Sequence, residues 1–63
     1  MLHHNFAHFL GQPIDFALSL IEASFFGKVV VYTPIDEPDE SVKPSRLKVF
    51  IDDQRIITKI LNG

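Results

Sequence analysis

Cysteine is absent from this chain, so neither a disulfide nor a thiolate metal site can hold its fold. That absence fits a reducing compartment. Glycine occurs only three times and never in a phosphate-cradling cluster, and no Gly-x-Ser-x-Gly elbow is present. Histidine is confined to His3, His4 and His8, away in sequence from Ser19, Ser24, Ser41 and Ser45. A chain of this size also leaves little room for a cleft. Together these absences argue against an enzyme and leave no catalytic residue and no cofactor to assign. No apolar run approaches the ~20 residues of a membrane span. The start, Met1-Leu2-His3-His4-Asn5-Phe6, lacks the basic and then apolar pattern of a secretion signal. The expectation is a soluble cytoplasmic protein without a membrane partner, although an export signal removed beforehand would leave the same sequence. A net charge of −2 supplies no general attraction to nucleic acid.

What is present is one small core's worth of apolar residues. The chain has 63 residues, 46% of them hydrophobic and six of them Phe. A domain this small buries only about 60% of its unfolded surface. Its stability must come from packing, with self-association as a further source.

Residues 1–10 carry Leu2, Phe6, Phe9 and Leu10 at a spacing that suits a short amphipathic helix, an N-terminal extension to a domain at 11–63. Gly11-Gln12-Pro13 breaks the pattern. Pro13 suits a helix start, where its missing N–H costs nothing, and Asp15 suits the first turn. Ile14, Ala17, Leu18, Ile21 and Phe25 then fall on one helical face, with Phe16, Leu20 and Ala23 widening it. Gly27 is a candidate C-cap. Val29-Val30-Val31-Tyr32 reads as a strand covered on both sides, ended by Pro34. Residues 34–45 hold Pro34, Pro38 and Pro44 and form no regular element.

The segment from Arg46 to Asp52 alternates, with Leu47, Val49 and Ile51 on one face and Arg46, Lys48 and Phe50 on the other. Asp52-Asp53-Gln54 is a turn. Arg55 to Leu61 reads as a final strand, Ile57 on one face and Ile56, Thr58 and Ile60 on the other. The order helix, strand, long loop, strand, turn, strand is that of an α+β domain. The long connection permits a parallel first pair.

Residues 34–45 contain Asp36, Glu37, Asp39 and Glu40 against the single base Lys43. Such a patch is either a solvated loop or a surface for a basic protein partner. His4 and His8 stand four apart, which on an α-helix would put two metal ligands on one side, with no third ligand to complete a site. Asp52-Asp53 lacks the ligand spacing of a calcium loop. No metal is assigned. Phe25 and Phe26 are adjacent and cannot both point inward from a helix. Either residues 1–10 fold over the Phe cluster, or it forms a patch that favours a homodimer.

Several stretches, in this order, resemble the potato inhibitor I family, which includes eglin and the seed chymotrypsin inhibitors. They are Gly11-Gln12-Pro13-Ile14-Asp15-Phe16-Ala17, Val29-Val30-Val31-Tyr32-Thr33-Pro34, Arg46-Leu47-Lys48-Val49-Phe50-Ile51-Asp52 and the closing Gly63. The resemblance covers roughly residues 11–63. It implies one α-helix packed on a small twisted mixed sheet, with a long exposed loop between two strands that occupies a serine protease like a substrate. It places a reactive loop at Pro38, Asp39, Glu40, Ser41, Val42 and Lys43. The scissile bond would be Glu40–Ser41, with Glu40 in the specificity pocket. Arg46 and Lys48 take the positions of the family's two loop-supporting arginines.

Asp39 and Ser41 stand where the family usually has Thr and an acid, and the loop is about one residue shorter. Lys48 offers a point charge where Arg would offer a planar fork. Pro38 and Pro44 restrict the loop from both sides, whereas its surplus acids repel one another. Two further readings follow from the residues. The acidic loop could dock on a basic partner surface by charge mimicry, or the chain could be a homo-oligomerising domain that uses the N-terminal Phe patch.

Overall fold

The structure, a computed structural model, describes residues 2–37 and 45–62. A 3-10 helix at Leu2–Phe9 (η1) leads into α1 at Ile14–Ser24. Three strands follow, β1 at Lys28–Tyr32, β2 at Arg46–Ile51 and β3 at Ile57–Asn62. They form one sheet in the order β1-β2-β3. β1 and β2 are parallel, with Lys28 opposite Arg46 and Tyr32 opposite Phe50. β2 and β3 are antiparallel. The architecture is therefore α+β, one helix packed on a small mixed sheet.

α1 starts after Pro13, which is itself extended and whose carbonyl accepts the N–H of Ala17 at 3.0 Å. Its 3.6-residue period puts Ile14, Ala17 and Ile21 in the core, with Leu18 packed at the margin. Across from them stand Leu47, Val49 and Ile51 of β2 and Val29 and Val31 of β1. Phe25, the residue after α1, closes one end of this layer.

The N-terminal segment belongs to the same core. Phe6 and Phe9 are buried, Phe6 stacking on Phe9 at 6.3 Å and meeting Phe25 edge-on at 6.2 Å. Phe6 and Phe9 are thus inside, so they cannot form the exposed N-terminal Phe patch that one reading required. Phe26 and Phe16 remain outside, at 99% and 60% exposure. The side chain of His4, and with it the pairing of His4 with His8, lies outside what the structure describes.

Three further expectations are corrected. First, β1 is an edge strand, and Val29, Val30 and Val31 are half-buried rather than enclosed on both sides.

Second, β3 contains a bulge. Ile51 pairs with Ile57 but Phe50 pairs with Lys59, so Thr58 is an extra residue. The inserted residue reverses the alternation and brings Ile57 and Ile60 to the same, core-facing side. β3 begins only at Ile57, because Arg55 has φ 64° and belongs to the preceding turn. Asp52 builds that turn, its Oδ1 accepting the N–H groups of Gln54 and Ile56, both at 2.9 Å.

Third, Gly27 does not cap α1, since Phe25 already ends it in an extended conformation. Gly27 has φ 139°, and a Cβ there would lie 2.1 Å from the carbonyl oxygen of Ser45. It is glycine because the start of β1 crosses this close to the start of β2.

Gly27→Ala is expected to cost about 2–4 kcal/mol through backbone strain and overpacking. Phe6→Ala should cost about 3 kcal/mol by emptying the core. Urea unfolding followed by circular dichroism measures both. A Phe6 variant as stable as the parent would show that η1 contributes no packing energy.

Candidate functional site

Parallel pairing decides where the 34–45 connection begins and ends. Tyr32 leaves the sheet at one end and Arg46 joins it at the other. The chain must therefore return the length of β1, roughly 16 Å at ~3.3 Å per residue. The first part of this return is a tight turn. Pro34 occupies its second position, which the fixed proline φ favours. The Asp36 N–H donates to the Thr33 carbonyl at 3.1 Å. Asp36 Oδ2 in turn accepts the Thr33 N–H at 2.8 Å and the Thr33 hydroxyl at 2.9 Å. These bonds, led by the one from the backbone, hold the Asp36 carboxyl below its ordinary 3.8. Ile35 at the tip is 92% exposed.

Pro38, Asp39, Glu40, Ser41, Val42 and Lys43 lie outside the described residues. The cations expected to support them do not. Alternation along β2 sends Leu47, Val49 and Ile51 to the core and Arg46, Lys48 and Phe50 to the opposite face. On that face Arg46 and Lys48 are nevertheless buried, at 9% and 8% exposure, and neither is without a partner. Beside them, Tyr32, Phe50 and Lys59 make a row across all three strands. The Tyr32 and Phe50 rings stack at 5.2 Å, and Lys59 Nζ sits 4.9 Å from the Phe50 ring centre. Lys28 lies opposite Arg46, so this face of the sheet brings together Lys28, Arg46, Lys48 and Lys59. Its charge is the complement of the acidic run that returns from β1 to β2.

Alternation placed Arg46 and Lys48 together in the sequence, but nothing in it signalled their burial or the Tyr32–Phe50–Lys59 row. Both depend on what lies across from β2. At the end of β2, sharing a shallow pocket with Thr33, Pro34 and Ile35, Arg55 makes a forked pair with Asp15, at 2.6 and 3.1 Å, tying the β2–β3 turn to the start of α1. This pairing holds the Asp15 carboxyl below its ordinary 3.8 and raises Arg55. Among the described residues there is no cluster of three metal-ligating side chains. Among them, too, no helix is long and apolar enough to cross a membrane. A groove of about 480 Å³ lies between η1 and α1, lined by Phe6, Phe9, Phe16 and Leu20 among others.

No protein-family model matches the chain, and no curated protein matches its sequence.

Asp15 and Asp36 have folded pKa values lowered below those of the unfolded chain. Their contributions are present above pH ~4 and are lost as the pH falls through the folded values. Thermal midpoints measured between about pH 6 and 2 should fall on acidification, and less steeply in Asp15→Asn and Asp36→Asn. Parallel curves for parent and variants would show that these two carboxylates do not drive the acid response.

Proposed function

We propose that this chain is a protein-binding domain that presents residues 34–45 to its partner as a substrate-like inhibitory loop, as in the potato inhibitor I family. The observation that carries the reading is the burial of Arg46 and Lys48 on the sheet face away from the core. A cation withdrawn from water costs several kcal/mol unless partners compensate it. These two stand on the strand that receives an acidic connection, so the connection has a reason to be held down. A loop held before binding loses little entropy when it binds. Parallel β1–β2 pairing adds support, because it requires a long return between the strands.

In this reading Glu40 enters the specificity pocket and the Glu40–Ser41 bond lies across the protease's nucleophile. The pocket must then carry positive charge, which selects a Glu-preferring serine protease. Arg46 and Lys48 hold the loop while the partner reads it.

The test is incubation with a panel of serine proteases that includes a Glu-specific one, following residual activity and scission at Glu40–Ser41. The expected result is inhibition of the Glu-specific enzyme with slow cleavage. Glu40→Leu should move inhibition to a protease that accepts apolar residues. Arg46→Ala should weaken inhibition by at least about tenfold and speed cleavage. Rapid cleavage of the parent, or no interaction with any protease, rejects the inhibitor. Binding to a basic surface that fades with salt and with each acid removed would instead establish docking by charge.

A further inference from the structure

The two edges of the sheet are treated differently. The edge of β3 is occupied by the η1–α1 connection. Gly11 donates to the Ile57 carbonyl at 2.8 Å, Ile57 donates to the Gln12 carbonyl at 2.9 Å, and Pro13 bridges to Ile56. β1 forms the other edge and, among the described residues, pairs only with β2. The Lys28 N–H donates to the Ser45 carbonyl at 2.9 Å, so Lys28 points its backbone groups at β2. Strand alternation then directs Val30 and Tyr32 the same way, and Val29 and Val31 outward. Thr33, next in the outward series, has its N–H closed by Asp36. Among the described residues nothing bonds the outward groups of Val29 and Val31.

We propose that a second copy of this chain pairs with this edge, β1 against β1, antiparallel about a two-fold axis at Val30. The register follows from the groups left open. Val29 and Val31 of one chain face Val31 and Val29 of the other and exchange both their N–H···O bonds. Val30 meets its own copy in the closer, non-hydrogen-bonded position. The strand is complementary to itself in this register. Lys28 falls opposite Tyr32, so no like charges meet.

The same register settles two residues that the monomer leaves in water. Phe26 and Ile35 are the most exposed of the large apolar side chains, at 99% and 92%. They flank β1 at its two ends. Antiparallel pairing centred on Val30 sets Phe26 opposite Pro34 of the other copy, next to its Ile35. Both symmetry-related ends gain such a contact. This surface takes in Pro34 and Ile35 at the start of the 34–45 connection but none of its acidic residues, and it does not depend on the inhibitory reading.

Sedimentation equilibrium over about 10 μM to 1 mM tests the proposal on the full chain. The expected result is a concentration-dependent species of twice the monomer mass. Val30→Lys should abolish it by setting like charges across the axis, and so should Val30→Glu. An equimolar mixture of the two variants should restore it, because opposite charges then meet. Phe26→Ser, at a position with no contacts to lose, should weaken it by about tenfold. A parent that stays monomeric throughout, a dimer that survives Val30→Lys, or a mixture that fails to re-form one would each overturn the proposal. A dimer lost on Phe16→Ser but not on Phe26→Ser would overturn it too, placing the contact on the α1 groove.

Discussion

β2 is the element on which the rest of this structure depends. It is paired on both sides, parallel to β1 and antiparallel to β3. It is also covered on both faces, the condition under which every side chain it carries needs a partner. Leu47, Val49 and Ile51 meet the helix layer. Arg46 and Lys48 do not have that option. A buried cation is stable only where its lost hydration is replaced. The central strand of this fold therefore imposes a requirement on whatever lies across from it, and the strongly acidic connection is the part of the chain whose composition suits that requirement.

The core on the other face is assembled from small contributions. Eleven residues of helix are too few to be stable alone. Three strands present more apolar surface than Ile14, Ala17 and Ile21 can cover. Phe6 and Phe9 complete the layer, and Phe25 joins them from the end of α1. Backbone bonds from residues 11, 12 and 14 to β3 and its turn secure the same segment, so the start of the chain is tied down by hydrogen bonds as well as by packing. The forked Asp15–Arg55 pair closes this end, although it is exposed and contributes little by itself.

The connections carry the special backbone positions. Asp36 accepts the N–H and the hydroxyl of Thr33, and Asp52 accepts two N–H groups of its turn, groups that would otherwise be left to water. Arg55 and Gly27 both have positive φ, for different reasons. Arg55 follows the geometry of its turn, whereas Gly27 answers to a carbonyl eighteen residues away in sequence, that of Ser45. Only the second is a tertiary demand, and only the second excludes every side chain.

Periodicity within a single element was enough to read α1 and the two faces of β2. The 3.6 and 2.0 repeats are properties of the local backbone, and the residues obey them. The α+β order, the turn at Asp52 and the long return between β1 and β2 were legible for the same reason. The edge position of β1 was not, because a run of valines is equally at home in the middle of a sheet. The bulge at Thr58 was invisible because an inserted residue leaves both strand fragments looking regular. The burial of Phe6 and Phe9 depended on how much surface the sheet left uncovered. Of the candidate site, the sequence determined that two cations share a face and that acids precede them. Only the tertiary structure decided that the cations are buried, because burial is set by the elements packed around a residue and not by its neighbours in the chain.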